Sequence, residues 1–202
     1  MFASIQQVID KIDVDNISDE RKKLFSGLIL YIQEKREEKA QVLLNFICTH
    51  NSRRSQFAQL WAKVAADYYH IPVESFSGGV EITAFNERAI NSLKRFGFKI
   101  KSIPNGNNPY YFVSWKEEMN GLKMFSKTFD DPINPKNNFA AIMTCSHADE
   151  NCPFVAGCEV RIPIRYEDPK NYDDTPLEQC FYDYRSFEIA TEMFYVFSKI
   201  KK

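Results

Sequence analysis

The stretch VLLNFICTHNSRRSQFAQLWAKVAADYY (42–69) decides the fold. Its first seven residues are almost uniformly apolar and rich in β-formers. They lack the alternation of a strand with one wet face, as expected of a short strand buried on both sides. The polar loop THNSRRS follows, and then Phe57, Leu60, Trp61, Val64 and Ala65 form an apolar helical stripe. Downstream, IPVESFS (71–77) is a second strand ending at Gly78–Gly79, and NERAINSLKRFGF (86–98) is an amphipathic helix with Gly97 as its C-cap. The order β-α-β-α opens a doubly wound parallel sheet. NFAAIMTC (138–145) and EVRIPI (159–164) supply two further strands. Residues 177–200 form the last helix, with Phe187, Ala190, Met193, Phe194 and Phe197 on one side. The expected architecture is an α/β domain over residues 41–202, a four-stranded parallel sheet with helices on both faces.

Outside this frame lie two additions. In residues 1–40, Ile5, Val8, Ile9 and Ile12 have helical spacing, and Ser18 with Arg21 onward opens a second helix carrying Leu24, Leu28, Leu30 and Ile32. The polar run QEKREEKAQ (33–41) closes it as a solvated face, so the segment reads as a helical hairpin packed on the main domain. Residues 104–138 interrupt the β-α order. Asn105–Gly106 and Asn120–Gly121 are strong turn signals around two β-prone pieces, which predicts a hairpin insertion or an irregular excursion.

Composition narrows the function. The 26 Lys and Arg residues are balanced by 27 Asp and Glu, a net charge of −1 that gives no electrostatic reason for a nucleic-acid partner. No apolar run reaches the ~18 residues of a membrane span, because the segment 24–32 is broken by Ser26 and Gly27. The start, MFASIQQVIDKIDVD, is too polar for a secretory signal. A cytoplasmic enzyme or binding protein is expected. In a reducing compartment thiols are more often buried, metal-bound or catalytic than paired, so the cysteines at 48, 145, 152, 158 and 180 need explaining.

Cys48 ends the first buried strand, and Arg54 comes six residues later as the next helix begins. In doubly wound sheets ligands bind outside the carboxyl ends of the strands. A loop entering a helix there aims backbone N–H groups and the positive helix terminus at one point, which suits a tetrahedral oxyanion. Thr49, His50, Asn51, Ser52, Arg53 and Arg54 are therefore the candidate oxyanion-binding residues, with Arg54 adding a bidentate grip. The same field favours thiolate at Cys48, to which Ser55 can donate, while Asn51 fixes the loop. The plainer alternative is a half-buried structural cysteine beside surface arginines.

CTHNSRRSQ resembles the phosphate loop of the low-molecular-weight protein tyrosine phosphatases and of the thioredoxin-coupled arsenate reductases that share their fold. The family loop reads Cys-x-Gly-Asn-x-Cys-Arg-Ser, matched by Cys48, Asn51, Arg54 and Ser55. His50 replaces the Gly, whose use there is φ freedom, and Arg53 replaces the second Cys. TCSHADENCP (144–153) resembles the Cys-x6-Cys redox segment of the arsenate reductases, including Ala148–Asp149 and the Pro after Cys152. The resemblance covers most of residues 41–200 and implies a relay. Cys48 attacks arsenic, Cys145 attacks Cys48 and releases arsenite, and Cys152 takes over Cys145 in a disulfide that thioredoxin or a similar thiol reductant reduces. The segment 145–152 must then loop outward and should be mobile. The resemblance also implies a general acid in an Asp-Pro after the last strand, which is Asp168–Pro169; Asp131–Pro132 is a rival inside the insertion.

Alternatives remain at this level. Cys145, His147, Cys152 and Cys158 form a conceivable zinc set, although their spacing matches no common ribbon or finger, and buried inert thiols are another option. Cys158 and Cys180 are taken as structural, and no resident metal or cofactor is expected. Thr83 and Asn86 resemble the family's strand-to-helix turn, with Asn86 an N-cap and Ser77 near the floor of the site. Gln59 stands where the reductases place an acidic potassium ligand. The expected function is arsenate reduction. A phosphatase acting on phosphotyrosine or small phosphoesters is the first alternative, and a non-catalytic oxyanion-binding module the second.

Overall fold

A computed structural model describes residues 1–117, 119–151 and 154–201; Cys152 and Pro153 lie outside the described residues. The chain runs α1 (Ala3–Ile9), α2 (Asp19–Leu24), α3 (Ser26–Glu37), β1 (Leu43–Cys48), α4 (Arg54–Tyr69), β2 (Glu74–Gly79), α5 (Glu87–Arg95), β3 (Lys99–Ile103), β4 (Tyr110–Ser114), β5 (Leu122–Met124), β6 (Phe139–Met143), α6 (Ser146–Asn151), β7 (Cys158–Pro163) and α7 (Glu178–Ser198). Single 3-10 turns occur at Val14–Asn16 and Pro169–Tyr172. The main sheet has the order β2-β1-β6-β7 with every pair parallel, the doubly wound arrangement expected from the sequence.

The apolar run of β1 is divided between two cores by strand alternation. Leu44 and Phe46, with Ala140, Ile142 and Ile162, face the helices α3, α4 and α7 in the larger core. Ile47, with Phe139, Ala141 and Met143, faces a smaller core closed by Ala148 of α6 and Val155, which Cys48 joins at the strand end where the chain turns into the loop. Local signals set the helix ends. Ser18 and Asn86 accept from the amides of Arg21 and Arg88, capping α2 and α5. His70 (φ 59°) and Gly97 (φ 96°) turn the chain out of α4 and α5 in left-handed backbone.

The additions are more integrated than the sequence suggests. Ile5, Ile9, Phe25, Leu28 and Ile32 belong to the larger core. The helix expected from residue 18 to 32 is broken between α2 and α3 so that Phe25 is sealed inside, while Leu24 and Leu30 stand in solvent. The insertion is a three-stranded antiparallel sheet, β3-β4-β5, which starts at Lys99, before the expected boundary. It contributes Val113, Trp115 and Met124 to the larger core. Among the described residues no helix is long and apolar enough to cross a membrane.

Candidate active site

Three chemically interesting segments leave the carboxyl ends of adjacent parallel strands. Cys48 ends β1, Cys145 follows β6, and Asp168 follows β7. The register pairs Ile47 with Met143, and the Thr144 amide donates to the Ile47 carbonyl at 2.7 Å. Cys145 therefore emerges beside the first residues of the loop after Cys48, and Thr49 Oγ1 lies 3.4 Å from Cys145 Sγ. Between β1 and β6 the strand order reverses, which is where ligand sites form in this architecture.

The 49–54 loop is built to receive an anion. Among the described residues, none of its backbone N–H groups finds an acceptor within the chain, although such groups are normally paired when buried. Arg54 Nε is likewise buried without a hydrogen bond to any described residue. Polarity is set by a directed hydrogen-bond chain. The Lys127 amide donates to Asn51 Oδ1 at 3.0 Å, which orients the side chain so that Nδ2 donates to Ser55 Oγ at 2.8 Å. The Ser55 proton is then left for Cys48 Sγ, 3.1 Å away, where it stabilises negative charge on sulfur. Cys48 is 3% exposed.

The loop's left-handed residue is Asn51 (φ 46°), not His50. Asn adopts this conformation more readily than most non-glycine residues, so the His-for-Gly exchange carries no left-handed strain. The His50 carbonyl accepts from Ser126 Oγ (2.8 Å) and Thr83 Oγ1 (3.3 Å), while its ring points outward toward Glu81. Gly79 ends β2 where a Cβ would lie 2.7 Å from the Asn51 nitrogen and 2.8 Å from the Thr49 oxygen. Close backbone approach, not turn geometry, requires glycine there. Ser52 Oγ bonds the Ala84 carbonyl, and the Asn86 amide bonds the Ser52 carbonyl, tying the loop to the turn before α5.

Arg54 donates to Asp168 Oδ2 at 2.6 Å and to the Tyr166 carbonyl at 3.1 Å. Asp168 also caps the 3-10 turn by accepting from the Lys170 amide. Asp131, the rival acid, caps its own turn through the Ile133 amide. The Arg53 side chain departs from its expected oxyanion role. Its Nε donates to Tyr182 Oη at 2.8 Å and its guanidinium lies 3.5 Å from Asp173, so only its backbone remains in the anion loop. The reason is Tyr182, fully buried on α7 with an oxygen needing partners.

Cys145 is 1% exposed, and its sulfur accepts from the Ala148 amide at 3.4 Å. The expected mobile segment is here wound into α6, with Asp149 held by Arg161 and Arg165. His147 Nδ1 lies 3.4 Å from Thr49 Oγ1, which places this histidine beside the loop. Cys158 pairs with Phe139 at the opposite end of the sheet. At ~3.3 Å per residue that is about 20 Å from Cys145, too far to share a metal. Among the described residues no group of three or more His, Cys, Asp and Glu is arranged to hold a metal ion. Burial pushes the Cys158 thiol above its usual range, and Cys180 is exposed on α7. Gln59 is buried and bonds Ser75 and Ser77, so that pair of serines serves α4–β2 packing.

The insertion's contribution had no signal in sequence. Residues 126–129 run beside the end of β2, with Gly79 donating to the Lys127 carbonyl and accepting from the Phe129 amide. The Lys127 side chain is buried, and burial pushes its pKa from 10.5 down to about 8; Asp131 opposes this and Lys123 adds to it. Lys127→Met keeps the amide that orients Asn51 and removes the buried charge. Because the folded pKa lies below the unfolded one, the penalty is complete below pH 8 and fades as pH rises toward 10.5. Thermal unfolding should therefore show the variant about 2–3 kcal/mol more stable at pH 7 and nearly equal to the parent at pH 10.5. No gain at pH 7 would contradict a costly buried ammonium.

No family model matches the chain. It is 33% identical over 109 residues to an arsenate reductase of Staphylococcus aureus (strain Newman), over 54% of this chain and 63% of that protein. It is 25% identical over 137 residues to the arsenate reductase of Halalkalibacterium halodurans, over 68% of this chain and 81% of the relative. The chain thus spans less than two thirds of the staphylococcal protein's length. A low-molecular-weight phosphotyrosine phosphatase from Vibrio cholerae O395 superposes with TM-score 0.51 at 12% identity, covering 76% of this chain and 93% of its own. The chain shares its fold with that phosphatase, and its sequence similarity is to arsenate reductases.

Proposed function

We propose that the chain reduces arsenate to arsenite with its own thiols. One observation carries this: two free cysteines, Cys48 and Cys145, stand at the carboxyl ends of adjacent strands, with Thr49 of the first loop 3.4 Å from the second sulfur. A phosphatase needs only the first of them.

The oxyanion takes the 49–54 amides and the Arg54 guanidinium, displacing the Asp168 carboxylate, which takes up a proton from solvent on leaving Arg54 and passes it to the departing oxygen as the Cys48 thiolate bonds to arsenic. Cys145 thiolate attacks Cys48 Sγ. The sulfur–arsenic bond breaks with its electron pair passing to arsenic, so As(V) becomes As(III) while two thiols become one disulfide. Cys152 next attacks Cys145 and frees Cys48 by thiol exchange. The Cys145–Cys152 disulfide is returned to thiols by an external dithiol, for which thioredoxin is the partner proposed. This cycle requires no resident cofactor and suits the reducing cytoplasm.

Phosphoester hydrolysis is the second reading, favoured by the completeness of loop, Arg54 and Asp168 without Cys145. Thioredoxin-linked arsenate turnover and aryl phosphate hydrolysis should be measured in one preparation. Arsenite formation that depends on dithiol supports the first reading, and hydrolysis without arsenate turnover overturns it.

A further inference from the structure

We propose that Arg53 is a positioning residue that anchors the acid loop to the anion loop, so that Asp168 returns to one place each time it lets go of Arg54. The inference rests on the assignment of Asp168 as the acid of this site. The 3-10 turn Pro169–Tyr172 is flanked by two carboxylates, Asp168 before it and Asp173 after it. Consecutive arginines hold both ends. Arg54 takes Asp168 at 2.6 Å. Arg53 takes Asp173 at 3.5 Å and also donates to Tyr182 Oη at 2.8 Å, and that hydroxyl donates in turn to Asp173 Oδ1 at 2.8 Å. Arginine, tyrosine and aspartate thus close a three-membered ring in which each partner touches the other two.

The two grips have different fates. An oxyanion in the loop competes directly for Arg54, so the Arg54–Asp168 pair must open during every turnover. Nothing in the oxyanion's path touches the Arg53 ring, because its guanidinium faces α7. Once Asp168 is released, the Arg53 ring is what fixes the far end of its turn. Burial and the Asp173 carboxylate hold the Tyr182 hydroxyl above its ordinary range, so its proton stays in place as a fixed donor. Arg88 also approaches Asp173, but only at 3.8 Å, spending its close contacts on Asp174 and Glu178. Those contacts, with the stacking of Tyr172 on Phe181, keep the loop attached when Arg53 is altered. A fork-shaped donor is needed to serve Tyr182 and Asp173 together, and lysine offers only a point charge.

The test uses the full prereduced chain with Arg53→Met, Arg53→Lys, Tyr182→Phe, Asp168→Asn and the double variant Arg53→Met with Asp168→Asn. Arg53→Met should slow single-turnover arsenate reduction about 10-fold or more, since small misplacement of a catalytic group is costly. Inhibition by inorganic phosphate should change less than about twofold, because the anion loop's amides and Arg54 are untouched. Tyr182→Phe and Arg53→Lys should fall between. In the Asp168→Asn background the Arg53→Met effect should vanish to within about twofold, as residues acting through one another are non-additive. A full effect in that background, or a matching loss of phosphate affinity, would show a merely structural role and overturn the proposal. If the parent chain reduces no arsenate, the same cycle is read on aryl phosphate hydrolysis. Amide hydrogen exchange of residues 169–174 decides the anchor without any turnover: it should rise about 10-fold in Arg53→Met, and unchanged protection there would refute it.

Discussion

Replacing Cys145 with serine ends arsenate reduction and leaves aryl phosphate hydrolysis within about twofold of the parent chain. The asymmetry follows from electron counting. Cys48 alone can form a bond to arsenic, but two electrons reach arsenic only when a second thiol attacks the first. Without it the adduct returns to arsenate, and turnover falls by about 10⁴-fold or more, the scale of losing an essential nucleophile. The fold should survive, because the replaced sulfur's structural duty is to accept the Ala148 amide at the start of α6, and serine caps helices well. Equal loss of both activities would mean that Cys145 holds the loop rather than supplying electrons.

Asp168→Asn should separate chemistry from binding. The asparagine keeps an oxygen for the Lys170 amide, so the 3-10 turn persists. It removes both the proton donor and the carboxylate that occupies Arg54 in the empty site. The chemical step should slow by about 10²–10³-fold, typical of a lost general acid. Inorganic phosphate should bind several-fold more tightly, because the guanidinium no longer has to be freed from an ion pair. Rapid-quench turnover and phosphate inhibition measure the two effects. Weaker phosphate binding would place Asp168 in the anion-holding set instead.

How much of this site is legible in the sequence depends on how local each contact is. Cys48, Asn51, Arg54 and Ser55 lie within one strand–loop–helix, so periodicity and loop chemistry suffice to group them. Cys145 and Asp168 are recognisable because the parallel order sends every strand's carboxyl end to one edge. The hydrogen bond from the Lys127 amide to Asn51 is different. It comes from backbone, so residue type carries no trace of it. Arg53 could not be aimed either, since its partner Tyr182 lies 129 residues away. The glycines ending β2 are visible as a strand end, while their purpose, passage of the anion loop against Gly79 and of residues 128–129 against Gly78, depends on tertiary contact. The break at Phe25 shows the same limit: burying one aromatic overrode a continuous helical stripe, leaving Leu24 and Leu30 outside.

The most direct measurement is a peptide map, under non-reducing conditions, of Cys152→Ser after one equivalent of arsenate. Removing the third thiol stops the relay after the second, so the account predicts one arsenite released per chain and a Cys48–Cys145 disulfide in nearly all molecules. Free thiols at both positions, or Cys48 joined elsewhere, would contradict it.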